Sequence, residues 1–439
     1  MVGRPSGLRL SLKANSKFGV REALSNRKLF CFGYYFPPSR APEAIVSAKR
    51  TVGLRGWDVT FTAFQMGEDD QELANYANRN FHRIVRLVLP WWVRVIPKRI
   101  LTRLPMLPDW LALVTKYAVR DLKSLDVSEA HVFMTCSQSH SSHLVGLEVK
   151  KSYPELPWVA HFSDPWANNP YLDRVNDRKK AKERELEAKV FHNADLLIFT
   201  SEETRAHIAD NYPHHIRSKM RVLPHAFDPN MREGGGRAER THIDENMERI
   251  VVRHIGALYG KRSPIAFFEA IASLLQEMPE LINEISFEFI GPIDAEFRIA
   301  LEKLGLSSRV IALFPPVSYL ASLKLMQSAD ALLVIDAPSN ENIFLPSKLI
   351  DYIGIGKPIL ALSSPGTTRT LVREYGGRFC EPNNVQKIVH ELRIFLTELR
   401  EGGQSRRMVN DDVRSRFHVD CVGKLLQSYL NEVISESTE

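Results

Sequence analysis

Cysteine is scarce in this chain, four residues among 439, and Cys31, Cys136, Cys380 and Cys421 lie far apart with no Cys-x-x-Cys pair. Such spacing argues against a disulfide framework and against a cysteine zinc site. Long apolar runs are missing too: none approaches the ~18–20 residues of a membrane-spanning helix. The first thirty residues are basic but lack the apolar core of a secretory signal, which predicts a cytoplasmic protein. Acidic residues are absent between Arg79 and Arg103, a stretch that holds Arg79, Arg83, Arg86, Arg94, Lys98, Arg99 and Arg103.

What is present describes a globular chain, with 44% hydrophobic and 25% charged residues. A length of 439 residues outgrows one core and predicts two domains. The net charge of +6, with pI ≈ 9.0, suits an anionic partner. Short β-branched or aromatic runs alternate with longer amphipathic stretches, the pattern of doubly wound parallel sheets flanked by helices. Strands are predicted at Lys28–Phe36, Asp58–Phe64, His131–Cys136, Trp158–Phe162, Asp195–Thr200 and Arg221–Pro224 in the first half. In the second half they fall at Ile250–Ile255, Ser286–Ile290, Val310–Phe314, Ala331–Ile335 and Lys357–Leu362. The expected division is a basic tail at 1–26, a Rossmann-like domain at 27–228, a linker at 229–248 around Gly234-Gly235-Gly236, a second Rossmann-like domain at 249–384, and C-terminal helices at 385–439 packing back toward the first domain. Two such halves place a cleft between the carboxyl ends of their sheets.

The sharpest local signal runs from Leu345 to Leu360. Pro346 suits a helix start, and the backbone amides that follow point toward any anion, reinforced by the helix dipole and by Lys348. Asp351 shares a helical face with Ser347 and Lys348, placed to accept hydrogen bonds from ribose hydroxyls. A capped, salt-bridged helix with Gly356-Lys357-Pro358 as its exit turn explains the same residues without a ligand.

The run PSKLIDYIGIGKPILAL, with HIGALYGKRSPIAFFEAI and HSSHLVGLEVKKSYPELPWVAHFSDPW, resembles the family 4 retaining glycosyltransferases of GT-B fold. The resemblance implies two facing Rossmann-like domains with C-terminal helices. It also implies transfer of a sugar, with retention, from a nucleotide-diphosphate donor to a glycan or lipid-linked acceptor, in bacterial surface polysaccharide synthesis. The family's arginine after the first glycine of the second domain is replaced here: Ala257 follows Gly256, and Arg262 stands at the family's lysine position. The resemblance therefore assigns the departing diphosphate to Arg262 and Lys348. Gly256, Lys261, Pro346, Ser347, Leu349 and Asp351 would complete the donor site. The first of the family's paired glutamates falls on Ile343, with Glu341 and Asn342 near enough to substitute.

On the acceptor side the expected residues are Gly33, Arg40, His140, His143 and Asp164. Gly33 also reads as relief of crowding in a buried strand, and Asp164 as a structural turn. His140 and His143, three apart, raise a metal site, but no third ligand has suitable spacing, and none is assigned. No Asp-x-Asp follows an apolar strand to hold Mg²⁺ against a diphosphate, so neither a metal nor another cofactor is expected. Between Phe81 and Leu107, paired tryptophans and arginines are interrupted by Pro90 and Pro97. That mixture suits an anionic bilayer surface and predicts peripheral attachment to the inner face of the cell membrane through 79–107. Nucleic acid is not an expected partner, since no recognised module is visible. Two rivals stand beside the transferase: an inactive nucleotide-sugar-binding scaffold, and an unrelated basic membrane- or nucleic-acid-binding protein.

Overall fold

The computed structural model describes residues 27–104, 106–170, 177–232, 249–306, 308–402 and 409–436. The expected tail and the glycine run of the expected linker lie outside them. The first sheet contains β1 (Arg27–Gly33), β2 (Trp57–Phe64), β3 (Arg83–Leu87), β4 (Val132–Cys136), β5 (Trp158–Phe162), β6 (Leu196–Phe199) and β7 (Met220–Val222). The second contains β8 (Ile250–Ile255), β9 (Ile285–Ile290), β10 (Ile311–Phe314), β11 (Ala331–Ile335), β12 (Ile359–Leu362) and β13 (Arg378–Cys380).

The order is β3-β2-β1-β4-β5-β6-β7 in one sheet and β10-β9-β8-β11-β12-β13 in the other. Neighbouring strands run parallel. Helices cover both faces of such sheets, so central strands such as Val132–Cys136 and Trp158–Phe162 are buried at every position and show no polar alternation. Each sheet reverses its winding beside its first strand, between β1 and β4 and between β8 and β11. Ligands bind at such switch points, beyond the carboxyl ends.

Two strands escape the sequence pattern, β3 and β13. Both lie at sheet edges, where one side of the ladder is open and charged residues such as Arg86 and Arg378 are tolerated. The C-terminal helices divide between the domains. Val385–Arg400 packs on the Ile265–Glu277 helix of the second domain, while Val419–Glu436 packs on the Pro42–Val52 helix of the first. Gly53 and Gly423 sit at that second crossing, where a Cβ on Gly423 would stand 2.3 Å from the Gly53 backbone. Among the described residues no helix is long and apolar enough to cross a membrane.

Candidate active site

A cleft of about 990 Å³ lies between the domains, lined from the carboxyl ends of both sheets. That is the upper end of the range for small-molecule sites. From the second domain it receives Tyr259 and Arg262 after β8, Asp336 and Asn342 after β11, and Leu345, Pro346 and Ser347 at the head of the Ser347–Ile355 helix. Pro346 occupies the N-cap position with no side-chain hydrogen bond closing the helix end. Arg262 lies over the Tyr259 ring, 5.8 Å from its centre, and its buried Nε has no hydrogen-bond partner among the described residues. An unpartnered guanidinium nitrogen beside a helix N-terminus suits an anion.

The Lys348 side chain runs beside Gly256, where a Cβ would lie 3.7 Å from both its Cδ and its Nζ; neither residue lines the cleft. Lys348 is open to solvent, yet the protein around its ammonium desolvates it and lowers its pKa, an effect that Asp351 opposes and Arg262 reinforces. Asp336 accepts from Asn342 Nδ2 and from Ser363 Oγ, each at 2.8 Å, and burial raises its pKa despite those bonds.

The first domain contributes Arg40 and Glu43 from the entrance of the Pro42–Val52 helix, Gln65 to Glu68 after β2, Gln138 and Ser139 after β4, and Ser163 and Asp164 after β5. Glu43 Oε2 accepts from Ser163 Oγ at 2.9 Å, and Oε1 from Ser47 Oγ at 3.1 Å. Burial pushes its pKa up to about 7; Arg50 and Ser163 offset part of this. Asp164 accepts from Gln138 Nε2 and is pushed up to about 6, again by burial. Arg40 is exposed and ion-paired to Glu68 at 2.8 Å, so part of its charge is already matched.

Several expected site residues are placed elsewhere. Leu349 is fully buried in the core and does not line the cleft. Asp351 is buried and does not line the cleft: Oδ1 accepts from Lys49 Nζ at 2.7 Å and from Tyr319 hydroxyl at 3.1 Å. The carboxylate expected to hold a ribose is thus bonded through Oδ1 to a cation that crosses from the first domain. Gly33 packs in the sheet against Phe61 and Cys136, away from the cleft. His143 is buried with Nδ1 2.9 Å from Thr135 Oγ1, and His140 stacks on Trp166. Burial lowers the pKa of both imidazoles, that of His140 to about 3, and neither lines the cleft. Among the described residues no three His, Cys, Asp or Glu side chains gather as a metal site. Glu341 and Lys261 are exposed and outside the lining, whereas Asn342 lines the cleft and bonds Asp336.

Sequence reasoning missed Glu43, Ser163 and Asp336 in this site and Lys49 beside it. Each reads in sequence as a helix-turn or strand-end residue, and each takes at least one partner from another strand, another element or the facing domain.

No protein-family model and no curated protein matches this sequence. Solved structures match its architecture over nearly all of the described chain. Anabaena HepE in complex with UDP and glucose is 14% identical with a TM-score of 0.64, over 92% of this chain and 100% of that one. Sucrose-phosphate synthase from Thermosynechococcus elongatus is 14% identical with a TM-score of 0.67, over 93% and 100%. An E. coli trehalose-6-phosphate structure bound with UDP-2-fluoro glucose is 12% identical with a TM-score of 0.61, over 92% and 98%. The fold is GT-B. At these identities the likeness is one of fold, and the chemistry has to be argued from the cleft.

Proposed function

We propose that this chain is a glycosyltransferase using a nucleotide-diphosphate sugar. The observation that carries the reading is Arg262, a cleft cation with an unpartnered buried Nε, sharing one cavity with the head of the Ser347 helix. A leaving diphosphate carries the charge that such a wall stabilises, and water exclusion strengthens each contact. The acceptor enters from the first-domain wall, near Glu43, Ser163 and Asp164. Its hydroxyl oxygen forms the new bond to the anomeric carbon as the bond from that carbon to the diphosphate breaks. The hydroxyl proton leaves on the departing phosphate oxygen. Attack from the leaving-group face gives retention, the outcome that the family 4 resemblance supports, and the reaction uses no metal. The acceptor is a glycan or a lipid-linked glycan, in surface polysaccharide synthesis at the inner face of the membrane.

One observation favours the inactive scaffold as a second reading: Ala257 and Ile343 stand where the family carries an arginine and the first of its paired glutamates. Thermal unfolding against UDP, GDP, ADP, CDP and TDP without metal separates the cases. UDP is the first choice because HepE is in complex with it. A ligand at 100 times its Kd stabilises by about 2.7 kcal/mol. The transferase reading expects one nucleotide to shift Tm and its sugar conjugate to turn over or hydrolyse slowly. Arg262→Ala and Lys348→Ala should each reduce turnover by about 10²-fold or more with the fold intact. Binding without turnover or hydrolysis supports the scaffold, and no shift with any nucleotide at millimolar concentration defeats both readings.

A further inference from the structure

Part of the cleft lining is not polar. Met66, Leu89, Val93, Ile96, Leu101 and Trp110 line it, continuous with the wall that carries Arg40, Glu43 and Asp164. A diphosphate makes no polar contact on such a surface, and an aliphatic wall of this extent exceeds what one sugar ring covers. Val93, Ile96 and Leu101 come from the short helices Trp91–Val95 and Lys98–Leu101 and the turn between them. The same segment exposes apolar side chains to solvent. Of the nine large apolar residues standing exposed among the described residues, five belong to it: Val88, Trp91, Val95, Ile100 and Leu104, with Trp91 74% and Val95 69% exposed. Arg94, Arg99 and Arg103 are exposed among them, and no acidic residue lies between Arg79 and Arg103. Isolated exposed leucines are ordinary, but a clustered apolar face with a cationic rim marks an interaction surface. Its charge is complementary to an anionic lipid.

We infer that the acceptor is an amphiphile: a hydroxyl-bearing head joined through an anionic group to an aliphatic chain. The chain lies along Leu89, Val93, Ile96 and Leu101 and leaves the cleft over the Trp91 to Leu104 face, which rests on the anionic membrane supplying the lipid. This inference rests on the glycosyl-transfer reading and narrows its acceptor from any glycan to a lipid-linked one. The apolar tail takes no part in the bond change and serves to hold the head's hydroxyl at the sugar.

Farnesyl phosphate and ethyl phosphate serve as probes, followed by intrinsic tryptophan fluorescence and by Tm, with UDP binding measured in parallel. Farnesyl phosphate is expected to bind at least tenfold more tightly than ethyl phosphate. The double variant Leu89→Ser/Ile96→Ser should weaken farnesyl binding at least tenfold while UDP affinity stays within twofold. Should that variant fail to fold, Ile96→Ala takes its place with an expected threefold loss. Trp91→Ser/Val95→Ser lies outside the groove that holds a chain of farnesyl length, so it should weaken farnesyl binding no more than twofold while sedimentation with vesicles of phosphatidylglycerol and phosphatidylcholine is lost. Wild-type protein should not sediment with phosphatidylcholine alone. Equal affinity for the two phosphates, or farnesyl binding indifferent to the groove variants, overturns the inference. Self-association through Trp91 without vesicle binding also overturns it, assigning the face to a second copy. Failure of UDP and every other nucleotide to bind removes the transferase reading instead, whatever the farnesyl result.

Discussion

Glu43 shows how far a single side chain can depart from its sequence reading. In sequence, Pro42-Glu43 is an acidic first turn of a helix, favourable to the dipole and otherwise unremarked. In the fold, Ser163 from the end of β5 closes over it and burial lifts its pKa from 4.5 to about 7. The folded protein therefore holds this proton more tightly than the unfolded chain does. Glu43 favours folding below about pH 4.5, and that contribution is lost as pH rises through 7. Glu43→Gln should remove the dependence and raise stability at pH 8 by roughly 1–3 kcal/mol relative to wild type, with little gain at pH 5. Urea unfolding at the two pH values tests this; an equal change at both would show that the carboxyl does not titrate in this range.

Among the elements, the Ser347–Ile355 helix joins the donor wall to the domain interface. Its head faces the cleft, its buried face packs in the core, and Gly354 near its end meets the ring of Phe227 from the segment leaving β7. A Cβ on Gly354 would lie 2.3 Å from Phe227 Cγ, and Arg414 Nε donates to the Gly354 carbonyl at 3.1 Å. The aromatic ring, held by backbone hydrogen bonds from Phe227 to Phe417 and from Val419 to Phe227, has little room to withdraw. Gly354→Ala should destabilise by about 1–3 kcal/mol through overpacking, although alanine is the better helix former. Thermal unfolding that matches or exceeds wild type would place the glycine's role in the helix alone.

For the whole molecule the decisive contact is Lys49 to Asp351, a buried pair in which one domain supplies the ammonium and the other the carboxylate. Tyr319 completes it, with its hydroxyl 3.1 Å from both Lys49 Nζ and Asp351 Oδ1. Nearby, Ser201 Oγ and Thr204 Oγ1 of the first domain donate to the Ile343 carbonyl of the second at 2.8 and 2.7 Å. Removing one member of a buried pair leaves the other charge desolvated, which costs about 3–5 kcal/mol. Lys49→Met should show that loss in urea unfolding, and Lys49→Met/Asp351→Leu should recover most of it. A double variant no more stable than the single would mean the pair is not desolvated as the fold places it.

The sequence by itself determined the two doubly wound domains, because parallel strands buried on both faces must be continuous apolar runs, and Phe30, Val159, Leu197, Leu333 and Leu360 write that rule in plain order. It also marked the Pro346 helix head, whose meaning is local: a helix start exposes its amides whatever surrounds it; Arg262 was singled out only by the family resemblance. The edge strands β3 and β13 were illegible, since an edge needs fewer apolar residues to hold its place. The tertiary structure alone decided which polar side chains face the cleft. Asp351 and Lys49 are 302 residues apart in sequence, and Glu43 and Ser163 are 120 apart, so neither pairing leaves a local trace. Leu349, named by the family resemblance, and His143, named by its spacing from His140, are both fully buried, because burial depends on what packs against a residue from elsewhere in the chain.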